Sequence, residues 1–174
     1  MIHINIGSNL ESAHGSRFDN ITIAIKLLIE ARIKIQKISN YYETPSYPNK
    51  KNPRFINIVI QIDFQFSYES LLKKILIIEK KMGRTRTNKN EPRTCDIDII
   101  DFKGKILNKK NIILPHPKAH ERSFVLFPLK EICPIWIHPI LNKNVDVLIK
   151  ELSSKTSNEI TRIKESVILN RYDK

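Results

Sequence analysis

The chain has 174 residues, 41% of them hydrophobic and 28% charged, with a formal net charge of +12. This composition excludes a disordered or fibrous chain and fits one domain, residues 1–174, large enough to bury its own core. Cys95 and Cys133 stand far apart in no CxxC pair, which excludes a disulfide framework or structural zinc site, and the N-terminal residues show neither leader nor span. A soluble cytoplasmic chain without a membrane partner is expected. The positive charge favours polyanions, although the abundance of Lys, Ile and Asn throughout leaves its purpose open.

Ile2, Ile4 and Ile6 alternate with polar residues and predict a half-buried strand that ends at Gly7-Ser8-Asn9. Phe18, Ile21, Ile25, Leu28 and Ile29 recur at helical spacing over residues 16–31. Residues 33–42 alternate again, and the prolines of 44–53 then forbid a regular ladder. A long strand is predicted from Phe55 to Phe66. A helix carrying Leu71, Leu72, Ile75, Ile78 and Met82 follows and stops at Gly83. Residues 84–93 form a basic loop, Thr94 to Phe102 a strand, and Lys103-Gly104-Lys105 a hairpin turn. Beyond Pro115-His116-Pro117 come a helical stretch from Lys118 through Glu131, a helix near 144–154 and a short strand near 158–163. The order is the βαββαβ of a ferredoxin-like α+β fold with a C-terminal extension. The fold alone names no activity.

Asp96 and Asp98 lie two apart on a predicted strand and therefore share a face, with α-carbons ~6–7 Å apart. Thr94 joins them there, while Cys95, Ile97 and Ile99 point into the core. Two neighbouring carboxylates repel unless a cation lies between them, and such a pair suits Mg²⁺ that takes its remaining ligands from phosphate. The alternative is a solvated face held by salt bridges. Arg84, Arg86, Lys89 and Arg93 lie just upstream, and guanidinium groups grip phosphate oxygens bidentately. Metal ligands and cationic clamps are the two needs of phosphoryl-type transfer. With only Gly7, Gly15, Gly83 and Gly104 in the chain, no glycine-rich phosphate loop can be written. Phe55 and Asn57 share a strand face and can offer a ring stack and a carboxamide to a heterocycle. Taken singly, that pair also fits a strand edge. His116 can equally be a turn residue, and Glu79 a solvated helix residue.

Together these segments resemble a known family. The blocks are Gly7-Ser8-Asn9-Leu10, Tyr42-Glu43-Thr44-Pro45, Phe55-Ile56-Asn57, Gly83-Arg84-Thr85-Arg86, Pro92-Arg93-Thr94-Cys95-Asp96-Ile97-Asp98-Ile99, Pro115-His116-Pro117 and the run from Arg122 to Leu129. In order and spacing they are similar to the 6-hydroxymethyl-7,8-dihydropterin pyrophosphokinases, which precede dihydropteroate synthase in folate synthesis. The resemblance runs from residue 2 to about 140. It implies transfer of diphosphate from ATP to the pterin, with two Mg²⁺ ions on Asp96 and Asp98 and with Arg84 and Arg93 assisting. It further implies that Glu79, Arg86, His116 and Arg122 lie at ATP. Phe55 and Phe124 would sandwich the pterin, with Thr44, Pro45, Tyr47 and Asn57 around it. A monomer is expected, with a dihydropteroate synthase acting downstream. Many members carry Trp-Gly where this chain has Asn90-Glu91. A rival from another class is a ferredoxin-like nucleic-acid module, but no aromatic cluster for stacking bases is present and the two acids sit mid-strand. Nucleic acid is therefore not expected as a partner. A second alternative is a paralogue that binds these ligands without turning them over.

Overall fold

The computed structural model describes residues 1–47, 49–83 and 92–163. Its elements are β1 (Ile2–Ser8), α1 (Arg17–Glu30), β2 (Lys34–Ile38), β3 (Tyr41–Thr44), β4 (Phe55–Asp63), α2 (Tyr68–Lys81), β5 (Asp96–Phe102), β6 (Leu107–Lys109), β7 (Ile112–Leu114), a 3-10 turn (Ala119–Glu121), α3 (Ser123–Ile132), α4 (Val145–Glu151), α5 (Ser154–Asn158) and β8 (Thr161–Ile163). The main sheet is six-stranded, in the order β5-β1-β4-β3-β8, with β2 also paired to β4. All of its recorded pairings are antiparallel. β2 and β3 act as one interrupted strand. At the break, Ser39 keeps the ladder intact, its amide donating to the Val59 carbonyl and its hydroxyl accepting from the Val59 amide, each at 3.0 Å. This is the expected ferredoxin-like core.

Strand alternation divides the sheet into two faces. Ile2, Ile4, Ile6, Ile58, Ile60, Ile97 and Ile99 point to one side and pack with Ile21, Ile25 and Leu28 of α1 and Leu71, Ile75 and Ile78 of α2. Each such fully buried side chain contributes about 1.5–3 kcal/mol of apolar transfer energy. The helices start where their caps dictate. Ser16 and Asp19 form a capping box on α1, and the Ser67 hydroxyl accepts from the Ser70 amide at the head of α2. The other face is covered by α3 and α4, whose Leu126, Leu129 and Leu148 meet Val59 and Trp136.

Two local expectations change. The turn at Lys103-Gly104 carries the chain out of the sheet and does not close a hairpin. Both residues have positive φ, and the Asp101 carboxylate accepts from the Gly104 amide at 2.9 Å and from the Trp136 indole N–H at 2.9 Å. The hairpin forms one step later, between β6 and β7. Second, the short strand expected near 158–163 narrows to β8, Thr161–Ile163, and joins the main sheet beside β3.

His3 lies on the α3–α4 face of β1, fully buried, with neither ring nitrogen hydrogen-bonded among the described residues. Burial pushes its imidazole down from the usual 6.5 to about 4, against the opposing pull of Asp101. The unfolded chain therefore binds a proton in this range that the folded chain refuses. The His3 share of the stability present above pH 6.5 should fall as the pH drops toward 4 and level off below, by about 3 kcal/mol. Urea unfolding across that range should show a slope to which His116 and His138, also held below 6.5 by burial, add their own shares, and His3→Leu should remove the His3 share alone.

Candidate active site

The α3–α4 face also carries the candidate site, at the end of the sheet where β1 finishes. Cross-strand register builds it in rows. Gly7 lies between Asp96 of β5 and Asn57 of β4, and Asn5 lies between Asp98 and Val59. Thr44 stands beside Phe55, and Tyr42 beside Asn57. Asn57 is buried, with its carboxamide nitrogen 3.5 Å from the Thr44 hydroxyl. A Cβ on Gly7 would come within 2.7 Å of the Asn57 amide oxygen and 3.5 Å of the Phe55 ring, so glycine is what lets those side chains lie over β1.

The carboxylates each meet a cation. Arg93 Nη1 donates to Asp96 Oδ2 at 2.9 Å, and Arg122 Nη1 stands 3.6 Å from Asp98 Oδ2. His116 Nδ1 accepts from the Lys118 amide at 3.1 Å, which leaves the proton of a neutral ring on Nε2. Nε2 faces Asp98 Oδ2 at 3.8 Å and Arg122 Nη1 at 3.4 Å. Burial, and then the Arg122 guanidinium, push this imidazole down to about 4. It is neutral at pH 7, so its approach to Asp98 is not an ion pair. Two donors, His116 Nε2–H and Arg122, thus converge on the space beside Asp98. The Arg122 guanidinium lies over the Phe124 ring, 5.3 Å from its centroid.

Among the described residues, no three His, Cys, Asp or Glu side chains close into a metal cage. A carboxylate pair with open positions is the donor set that suits Mg²⁺ when phosphate oxygens complete the shell. The residues present therefore fit such an ion.

The model of the 7,8-dihydro-6-hydroxymethylpterin-pyrophosphokinase family matches residues 3–134. The chain belongs to this family. It is 36% identical over 142 residues to the 2-amino-4-hydroxy-6-hydroxymethyldihydropteridine pyrophosphokinase of Aquifex aeolicus, covering 82% of this chain and 86% of that one. Against the enzyme of the same name from Bacillus subtilis it is 36% identical over 132 residues, covering 75% and 77%. The folic acid synthesis protein of Pneumocystis carinii is 36% identical over 144 residues, and the match covers 83% of this chain but only 19% of that longer protein. Wild-type HPPK-DHPS of Plasmodium falciparum superposes with a TM-score of 0.68 at 17% identity, covering 93% of this chain and 48% of that one. That likeness concerns the fold alone.

Of the residues that the pyrophosphokinase resemblance singled out, the fold gathers Arg93, Asp96, Asp98, His116, Arg122 and Phe124 on one side, and Thr44, Phe55 and Asn57 on the other. Pro45 is half-buried at the head of the following loop, while the Tyr47 side chain is exposed. Arg84 and Arg86 lie outside the described residues, as do Lys89 and Asn90-Glu91. Thr94 is not on the aspartate face, because β5 begins only at Asp96. Its hydroxyl instead donates to the Met82 carbonyl at 2.7 Å, just past the end of α2. Glu79 is not solvated. It is 2% exposed and accepts from the Ile97 amide, between the two aspartates, at 2.9 Å.

Asn9 is the residue that sequence reasoning left without a role. It is buried, exchanges hydrogen bonds with the Arg93 backbone at 2.7 and 3.1 Å, and donates to the Ser46 hydroxyl and the Pro53 carbonyl. One carboxamide thus fixes the segment bearing Arg93 and both ends of the 45–53 loop. The only signal for it was the Gly7-Ser8-Asn9 block itself.

Proposed function

We propose that this chain transfers the terminal diphosphate of ATP to 6-hydroxymethyl-7,8-dihydropterin and releases AMP, in folate synthesis. The observation that carries this reading is the juxtaposition of the Asp96–Asp98 pair, with Arg93, Arg122 and His116 around it, and the Phe55–Asn57–Thr44 cluster one strand away. The pterin hydroxymethyl oxygen forms a bond to the β-phosphorus, and the bond from that phosphorus to the oxygen bridging the α-phosphate breaks. AMP leaves with that oxygen, and the hydroxyl proton passes to solvent.

Asp96 and Asp98 would hold Mg²⁺, two ions by family resemblance, which supplies charge neutralisation on the phosphate oxygens. Arg93 sits against Asp96 and is positioned to stabilise the transferred diphosphate, with Arg84 assigned the same task from sequence. His116 and Arg122 donate to phosphate oxygens, and the neutral imidazole serves as a hydrogen-bond donor without adding charge. Glu79 holds β5 in place beneath the nucleotide, and Arg86 is assigned to ATP from sequence. Asn57 and Thr44 present amide and hydroxyl groups to the polar edge of the pterin, with Pro45 and the backbone near Tyr47 completing the pocket. Phe55 stacks on one face of the ring and Phe124 on the other. A dihydropteroate synthase would act on the product.

The test is AMP release from ATP with Mg²⁺, with and without the reduced hydroxymethyl pterin. AMP that forms only with both supports the reading, and tight pterin binding without AMP would replace it by a non-catalytic paralogue. Gly7→Ala provides a sharper check of the pterin side. The added methyl displaces Asn57 and crowds Phe55, so pterin affinity should fall by about tenfold, the loss of one hydrogen bond of ~1.4 kcal/mol. Calorimetric titration should show this with nucleotide affinity nearly unchanged.

A further inference from the structure

Asn5 is the residue on the floor of the site to which the mechanism above gives no task. It is 3% exposed, and its amide oxygen is buried with no hydrogen-bond partner among the described residues. Register puts it directly beside Asp98 on the face that holds both aspartates. Side chains directly opposite on antiparallel strands have Cβ atoms ~4.5–5.5 Å apart. A buried, unpaired carboxamide oxygen is a costly feature to carry on a central strand, where an apolar residue would stabilise the sheet better. On its other side is Val59, which offers no donor.

We infer that the Asn5 amide oxygen accepts a hydrogen bond from a water molecule on the divalent ion held at Asp98, making Asn5 a positioning residue for that ion. Mg²⁺ dehydrates reluctantly and keeps several waters, and each such water is a strong donor in need of an acceptor. A neutral acceptor beside the carboxylates meets that need without adding a third negative charge to the pair. Groups in this position typically change metal affinity by about 10–100-fold when removed. The inference rests on the metal-dependent reading proposed above.

The full chain, loaded with Mn²⁺ and an ATP analogue carrying a methylene bridge between the α- and β-phosphorus, provides the readout by electron paramagnetic resonance. Asn5→Val should weaken Mn²⁺ binding about tenfold while raising the melting temperature of the metal-free protein by about 2–4 °C, because an unpaired polar group is lost. Asn5→Asp keeps the shape and an acceptor oxygen, and should hold Mn²⁺ at least as tightly as the parent. Unchanged Mn²⁺ affinity in Asn5→Val, or loss of affinity in Asn5→Asp, overturns the inference. A drop in affinity and metal-free stability together in Asn5→Val would assign Asn5 a packing role and overturn it as well. Asp98→Ala separates the two levels. If it too leaves Mn²⁺ affinity intact, the metal reading itself has failed. If it abolishes binding while Asn5→Val does not, only Asn5 is misassigned.

Discussion

Replacing Asp98 by alanine should lower AMP formation by at least about 10³-fold, since a positioned divalent ion supplies several kcal/mol of charge stabilisation and each 1.36 kcal/mol is a factor of ten. The substitution touches neither Asn57 nor Thr44, so pterin affinity should survive. Asp96→Ala should behave similarly in rate but differ in stability. Asp96 has Arg93 at 2.9 Å, and its loss removes that hydrogen-bonded ion pair, whereas Arg122 stands 3.6 Å from Asp98 and also lies over Phe124. Steady-state rates with a saturating metal titration, alongside pterin titration by fluorescence, would separate chemistry from binding. A rate and a Mg²⁺ demand that both stay at the parent's values would count against direct ligation.

The second large effect should come from Glu79. Its carboxylate takes the amide proton of Ile97, a donor set between the two aspartates, and so joins α2 to the start of β5. Glu79→Ala leaves that buried amide without its acceptor and should cost about 2–3 kcal/mol. This corresponds to a fall in melting temperature of roughly 4–12 °C for a chain of this size. The rate should fall too, because Asp96 and Asp98 flank the released amide. Glu79→Gln retains an acceptor oxygen and should recover much of the stability. If Gln proves as damaging as Ala, the charge rather than the hydrogen bond is what β5 requires.

Glu79 also shows where the sequence stops being readable. Its α2 neighbours Ile75 and Ile78 give a clear apolar stripe, and an acid beside that stripe looks like the solvated flank of an ordinary amphipathic helix. Only the packing of α2 against the first residues of β5 turns it inward, and that is a tertiary fact. Asp96 and Asp98 were legible for the opposite reason, because a period of two states which face a side chain takes whatever the strand is packed against. Phe55 and Asn57 followed by the same rule. Asn9 was not legible, since a buried asparagine after a strand looks like any turn residue until the 45–53 loop and the Arg93 segment are seen to meet on it. β8 escaped as a sheet member because three residues carry too little periodicity to declare a partner, and its place was set by the open edge of β3. The Lys103-Gly104 turn was located correctly but joined to the wrong strand, because a turn signal specifies a bend and not which strands it brings together.

β1 is the first strand of the chain and a central strand of the sheet, yet both of its neighbours, β4 and β5, come much later in sequence. During synthesis its isoleucines and backbone donors must therefore wait for partners that begin at Phe55 and Asp96. Closing such distant pairings costs chain entropy before any contact rewards it, which places the rate-limiting event of folding late. The rows Asp96–Gly7–Asn57 and Asp98–Asn5–Val59 each draw on all three strands, so the candidate site comes into being only when β5 docks. Ligands that recognise those rows would bind no partly folded form and would act on the last step of folding alone.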